Sequence, residues 1–423
     1  MTPPIALQND CFAFDGPMAP FGEALDNLLS RVHPVVATEQ VGLIEAVGRI
    51  LAEPVSARKF SPPHNNAAVD GFAVRHSDLK PEGLTVLTVT ARIAAGHPAG
   101  GEIEPGEAAQ IFTGAVVPDG LDTIFMLEDC TFDGTRVELK PGIRRGANLR
   151  CRGEDITAGD VILQAGIRLR PQDIALAAAG GVATLPVCQR LKVAVFSTGD
   201  EVYDPAVAGD PPAGGIFDAN RYALAGLLSD LGCDLIDLGI LPDRFDDIRT
   251  ALAEAAEQAD AVITSGGVSL GEEDHVKAAV HDLGSLNHWR VAIKPGRPIA
   301  FGQIGTTPFV GLPGNPVAVM VTFWMFARPL LLKLAGAADL RARRYQVRAG
   351  FERSFKGPRR EWLRAWLEPD TAGGWRAVCY PREGSGIINS LVAAEGLVEI
   401  PEEMSDISIG DMIDFLPFSE VRR

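Results

Sequence analysis

The chain has 423 residues, 46% of them hydrophobic, and a formal net charge of -16. That length holds roughly two to four domains with real cores. The negative charge excludes broad nucleic-acid or anionic-membrane binding, which needs a positive surface, and confines any anion site to a local pocket of Lys, Arg and backbone N–H groups.

The six cysteines (Cys11, Cys130, Cys151, Cys188, Cys233, Cys379) lie far apart with no CxxC pair. They read as free thiols in a reducing compartment rather than as a disulfide framework or a zinc site. The seven histidines also lack ligand spacing. Met1 to Phe14 contains Asp10 and no basic leader region, so a cytoplasmic protein is expected. The most lipid-like run, Val317 to Phe326, is too short to span a bilayer and reads as a core helix, so no membrane role is expected.

Residues 20 to 33 have helical apolar spacing, and Val41 to Ile50 continues as a second helical or mixed element. From Phe60 to Arg150 short alternating runs such as Leu84 to Thr90 and Thr135 to Leu139 are separated by Gly and Pro turns, which predicts a mostly β module. Within it, Asp70 sits beside Gly71 in an apolar run, and Thr113 precedes Gly114. Glu154 and Asp155 follow at its end. An acid at a Gly bend is equally compatible with a bulge or an Asx turn.

Between Leu191 and Gly336 apolar strands alternate with helices. Strands are expected at Lys192 to Ser197, Cys233 to Ile240, Ala261 to Ser265, Val291 to Ile293 and Phe309 to Leu312. Helices are expected at Ala219 to Leu231 and Asp246 to Ala259. Such alternation implies a parallel sheet flanked by helices, with ligands at the carboxyl ends of the strands. From about Ala337 the chain alternates apolar and polar residues with turns at Gly373-Gly374 and Gly384-Ser385-Gly386, as in a small β domain.

Five loops in the α/β region share one chemical style. Thr198, Gly199 and Glu201 follow one strand, and Asp243 follows the next. Ser265-Gly266-Gly267-Val268-Ser269 leads to three acids ending in Asp274. Then come Lys294-Pro295-Gly296-Arg297-Pro298 and Gly311 to Pro316, which includes Pro313 and Asn315. Glycines after a buried strand let backbone N–H groups turn toward an anion, although glycine spacing alone fits a plain helix entry with an acidic first turn equally well. Acids beside such a cradle make sense with a divalent cation between them. Lys294 and Arg297, with Arg290 before them, are the one basic cluster, and the flanking prolines limit the entropy lost in aiming them at a tetrahedral oxyanion. From the residues alone, the chain is a multi-domain α/β enzyme or binding protein for a phosphorylated anion with a divalent metal.

Seven segments in order carry a closer likeness: Asn66 to Ala73, Phe112 to Pro118, Gly153 to Ile156, Ser197 to Glu201, Thr264 to Gly271, Ile293 to Pro298 and Gly311 to Pro316. The chain resembles the molybdopterin molybdenumtransferase family, the bacterial MoeA type, which includes the gephyrin E domain. The resemblance implies insertion of molybdate into adenylated molybdopterin with release of AMP, magnesium as the assisting ion, and a homodimer with a pocket shared between subunits. It implies a central three-layer α/β domain (20–35 and 188–336), a linking domain (36–60 and 151–187), a β-rich domain (61–150) and a C-terminal small β-barrel domain (337–423). By the same likeness Asp70 and Thr113, beside Gly114, reach toward a partner's pocket. Glu201, Asp243 and Asp274 become candidates for metal, and with Asp70 and Lys294 for catalysis. Asp155, Thr198, Gly199, Ser265, Gly266, Gly267 and Ser269 would hold substrate. Lys294, Arg297 and Arg290, with Pro295, Gly296, Pro313, Asn315 and Ser385, would handle molybdate and phosphate charge.

The chain departs from the family pattern at Val69, where Met is common, at Phe72, where Tyr is common, and at Arg290, where Lys is frequent. The alternatives that remain are the preceding step, adenylylation of molybdopterin, and a non-catalytic dimeric scaffold.

Overall fold

The computed structural model describes residues 18–207, 209–267, 275–297, 299–355 and 357–422. Val268 to Asp274, and with them Ser269 and Asp274, lie outside the described residues, as do Cys11 and Pro298.

The central element is a six-stranded sheet in the order Asp234–Leu241, Lys192–Thr198, Ala261–Ser265, Thr307–Leu312, Ile299–Ile304 and Gly284–Trp289. The first four strands run parallel, and the last two pair antiparallel to their neighbours. Alternation along each strand builds three layers. Val193, Val195, Ala261, Ile263, Val310 and Leu312 face one core, with the helices Phe21–Ser30, Asn220–Leu231 and Pro316–Leu334. Ala194, Phe196, Val262 and Phe309 face another, with the helices Phe245–Gln258 and His275–Leu283. Six of the seven strand and helix positions expected between Leu191 and Gly336 fall within two residues of their expected places.

Three expectations change. Val41 to Ile50 is not helical: Thr38–Gly42 is a strand paired antiparallel with Thr184–Cys188, followed by turns. The apolar residues there, Val41 and Ala46 among them, fill a small separate core with Leu51, Leu163 and Val187. Val291 to Ile293 does not add a strand to the central sheet. Instead Ile293–Lys294 pairs parallel with Arg360 and Glu361 of the C-terminal sheet. The sheet is mixed rather than wholly parallel, because Ile299–Ile304 returns as a hairpin onto Thr307–Leu312 through Gly305 at φ +58°.

The core helix is also longer than expected. Pro316–Leu334 spans 19 residues with mean hydropathy 1.6, long and apolar enough to cross a membrane, but 89% of that window is buried inside the protein. A π-helical segment, Phe323–Ala327, lies within it.

The β-rich region holds a six-stranded sheet that includes Gly71–Val74, Thr85–Ile93 and Glu107–Ile111. Phe72 is fully buried there, tilted on Phe132 at 5.0 Å, and Val69 packs against the adjoining core, so both departures from the family pattern are apolar residues in apolar places. At the C-terminal end, Arg360–Pro369, Trp375–Cys379, Tyr345–Ala349, Met412–Pro417 and Gly396–Ile400 close on themselves through the pairing of Arg360–Pro369 with Gly396–Ile400, giving a five-stranded barrel.

The barrel and the α/β core share one apolar seam. The Phe21 ring meets Phe326 and Trp362 edge-on, at 5.2 Å each, and Phe326 lies 5.8 Å from Phe301. Phe326 is fully buried at this junction. Phe326→Ala removes a ring shared by helix, sheet and barrel. It should cost about 3–5 kcal/mol, seen as a thermal midpoint several degrees lower.

Candidate functional site

Strand direction and register bring the five loops to one edge of the sheet. Thr198 is level with Leu241, and Ser265 is level with both Ser197 and Leu312. The antiparallel strand Ile299–Ile304 begins at this same edge, and Gly284–Trp289 ends there, since Trp289 pairs with Ile299 and Ala300 with Gly311. The chain leaving or entering these strands therefore carries Glu201, Asp243, Gly266, Arg290, Lys294 and Asn315 to one side.

The turns are built close. Gly266 (φ +90°) donates its N–H to the Leu312 carbonyl at 3.0 Å. A Cβ on Gly267 (φ +64°) would stand 2.6 Å from Val276 and 2.9 Å from Thr198. Asn220 donates its amide to the Gly314 carbonyl at 2.7 Å, tying the helix Asn220–Leu231 to the Pro313 loop. Three buried polar atoms at this edge have no hydrogen-bond partner: Ser197 Oγ, Thr198 Oγ1 and Asn220 Oδ1. Buried orphans of this kind are costly unless a ligand satisfies them.

The loop after Glu201 is held by a guanidinium among acids. Arg221, 6% exposed, pairs with Asp204, Asp218 and Asp237, and the Tyr222 hydroxyl donates to Asp204. Glu201 itself is exposed and close to Gly199 (φ +133°), and Asp243 is half-buried. Glu201 and Asp243 are hard oxygen donors of the kind that suits magnesium. No group of three metal-ligating side chains occurs among the described residues, and the third expected acid, Asp274, lies outside them.

Beside these loops a cavity of about 220 Å³ opens between the α/β domain and the barrel. Lys294, Pro295, Gly296, Arg297, Pro313, Asn315 and Ser385 all line it, so seven of the residues singled out in the sequence meet in one place. The Ile293–Lys294 strand sets Lys294 level with Glu361 on the barrel, and its Nζ donates to Glu361 at 3.0 Å. The Lys294–Pro295 peptide bond is cis. The Ser385 carbonyl accepts from Val317 N–H at 2.9 Å, docking the barrel's turn onto the start of the core helix.

Four further charged residues of the cavity escaped sequence reasoning: Arg353, Glu361, Arg364 and Glu383. Arg353 pairs with Glu383 at 2.8 Å and lies 3.7 Å from Glu361. Arg364, 8% exposed, donates to Ser390 Oγ at 3.1 Å and to the carbonyls of Arg382 and Gly384 at 3.4 Å each, which braces the turn that carries Ser385. The signal for Glu361 and Arg364 was a charge at a buried position of an otherwise apolar strand. Burial holds the Arg297 guanidinium below its usual range, and the like charges of Arg359 and Arg290 add to that. Three cations near one another are themselves an anion-seeking arrangement. Arg290 contributes charge there but does not line the cavity.

Not every expected residue converges. Asp70, Thr113 and Gly114 belong to the β-rich sheet region and Asp155 to the turn against Ser61; none lines the cavity. Asp70 accepts from the Thr113 hydroxyl and its backbone N–H, both at 2.7 Å, and these bonds hold the carboxyl below the usual range, ionised at neutral pH. The cysteines are free among the described residues, and burial pushes the Cys233 and Cys379 thiols up to about 12, which leaves them protonated and unreactive.

Comparisons with known proteins place the chain by family and fold. The MoeA N-terminal region (domain I and II) matches residues 19–181, the family described as "Probable molybdopterin binding domain" matches 194–333, and the MoeA C-terminal region (domain IV) matches 346–418. A molybdopterin molybdenumtransferase of Haemophilus influenzae is 36% identical over 96% of this chain and 100% of its own length. One from Nostoc is 40% identical over 74% of this chain and 73% of its own. The crystal structure of a molybdopterin biosynthesis moeA protein from Pyrococcus horikoshii superposes with a TM-score of 0.83 at 29% identity, covering 95% of this chain and 100% of that one.

Gly296 (φ +122°) would place a Cβ 2.3 Å from Thr322 Cγ2, whereas Gly305 (φ +58°) has open space around it. Gly296→Ala should therefore cost about 2–4 kcal/mol and Gly305→Ala only about 1 kcal/mol, compared by thermal denaturation of the two variants.

Proposed function

The chain belongs to the MoeA family of molybdopterin molybdenumtransferases, and from that premise we propose that it inserts molybdate into adenylated molybdopterin, releasing AMP and giving the molybdenum cofactor. The observation that carries the reading is the cavity at the α/β–barrel junction. In a protein of net charge -16 it gathers Lys294, Arg297, Arg353 and Arg364 against two carboxylates, a local excess that matches a tetrahedral dianion.

The proposed roles follow from position. Lys294 and Arg297 attract and orient molybdate, with the Ser385 hydroxyl as a neutral donor. Pro295, Gly296, Pro313 and Asn315 shape the wall. The adjoining loops, with Thr198, Gly199, Ser265, Gly266, Gly267 and Ser269, hold the phosphate-bearing part of the adenylated pterin. The unpartnered Ser197, Thr198 and Asn220 atoms support this, because a polar ligand would satisfy them.

Glu201, Asp243 and Asp274 are the proposed magnesium ligands, their oxygens being the donors that ion prefers. Magnesium would supply charge neutralisation on the diphosphate linkage. Asp70 and Thr113 are proposed to complete the pocket of a second copy in a homodimer, since neither lines the cavity of its own chain. Fixed donors around a partly enclosed cavity stabilise developing charge with little reorganisation, which is where the catalytic benefit of such an array lies.

Purified protein given adenylated molybdopterin, magnesium and increasing molybdate should release AMP in a saturable, molybdate-dependent manner. Lys294→Ala should lower kcat/KM by about a hundredfold, the size of effect seen when one charge-stabilising donor is removed. ATP consumption with molybdopterin and no molybdate would instead identify the adenylylation step. Intact cofactor synthesis in both Asp274→Asn and Lys294→Ala would turn the reading to a scaffold.

A further inference from the structure

Two carboxylates share the same two cations in the junction cavity, and they are unlike each other. Glu361 lies on the barrel strand opposite Lys294, with a side chain only 4% exposed, 3.0 Å from Lys294 and 3.7 Å from Arg353. Glu383 lies on the turn just before Gly384 and Ser385, with a side chain 62% exposed, 2.8 Å from Arg353 and 3.8 Å from Lys294. The buried Glu361 is a fixed counter-ion, because withdrawing it would leave desolvated charge behind. In the pair of Glu383 with Arg353 the carboxylate end stands open to solvent while the guanidinium is mostly buried, so water hydrates a departing Glu383 at little cost and leaves Arg353 free for another anion. The core therefore does not need the second carboxylate, yet it stands against the cations that line the cavity.

We propose that Glu383 is an internal stand-in for the oxyanion. Its carboxylate occupies part of the cationic pocket in the unliganded protein, and an incoming dianion displaces it from Lys294 and Arg353. Glu383 thereby sets the affinity threshold for the oxyanion substrate. The Arg364 bonds to the Arg382 and Gly384 carbonyls and the Val317 bond to Ser385 hold the turn in place, so displacement needs only the Glu383 side chain to swing into solvent while Ser385 stays at the cavity wall. This inference rests on the cavity being the oxyanion site. It adds that the protein itself supplies the competing anion.

The test is calorimetric titration of the whole protein with molybdate, and separately with tungstate, in the absence of pterin. Glu383→Gln keeps the shape and removes the charge, so it should bind both oxyanions about tenfold more tightly than the unaltered protein, with the gain shrinking as salt is raised. Glu383→Asp, which keeps the charge, should gain less than about twofold. Thermal midpoints of the variants identify any that fold poorly, and Glu383→Ala provides a second charge-removing variant. If the unaltered protein binds oxyanion while Glu383→Gln and Glu383→Ala bind it equally or more weakly, the stand-in role is wrong and the oxyanion site survives. If neither the unaltered protein nor any variant binds molybdate or tungstate, the oxyanion reading of the cavity itself fails.

Discussion

The structure turns on where two residues of chain, Ile293 and Lys294, find their hydrogen bonds. They leave the region of the central sheet and pair with Arg360 and Glu361 at the edge of the barrel. That short pairing places Lys294 opposite the buried Glu361, closes one wall of the cavity and aligns the barrel's Ser385 turn with the start of the core helix. The apolar seam of Phe21, Phe326 and Trp362 holds the two bodies at the spacing the pairing needs. Without this docking the cations of the α/β loops and those of the barrel would be separate surface charges, each worth little in water. Brought together around a partly enclosed space, they act as a single field on whatever enters.

The strand-end loops contribute a second kind of order. Their glycines allow close backbone approach where side chains would collide, as at Gly267 and Gly296. The Arg221 cluster fixes the loop that bears Glu201, and Asn220 ties the neighbouring helix to the Pro313 loop. Polar atoms left without partners at the same edge mark a surface organised for a ligand rather than for the fold alone. Membership of the molybdenumtransferase family gives that ligand a chemical identity, and the geometry explains why an acidic protein can handle an anionic one.

Much of this was legible in the sequence, for physical reasons. Ala261 to Ser265 reads as a strand because five consecutive residues are buried between two helical layers, which demands an apolar run. Parallel strand direction groups Thr198, Ser265, Pro313 and Asn315 at one edge, whereas Lys294 and Arg297 reach it for a different reason, because the antiparallel strand Ile299–Ile304 begins there. What stayed hidden was non-local. Gly284–Trp289 and Ile299–Ile304 join the sheet antiparallel, outside the alternating strand–helix pattern. The apolar Val291 to Ile293 reads as another sheet strand, and only long-range pairing sends Ile293 to the barrel. Arg353, Glu361, Arg364 and Glu383 carry no motif at all. Their role depends on which barrel positions turn toward the α/β domain. Val41 to Ile50 misled because its apolar spacing serves a small core of turns and short strands rather than a helix.

On this reading the α/β–barrel junction is one oxyanion site built by both bodies. It is tested most directly by a crystal structure of the protein with tungstate, whose anomalous scattering locates the ion without ambiguity. Tungsten density is expected in the cavity bounded by Lys294, Arg297 and Ser385, with contacts from both the α/β loops and the barrel. Tungsten bound elsewhere, or held by residues of only one of the two bodies, would contradict it.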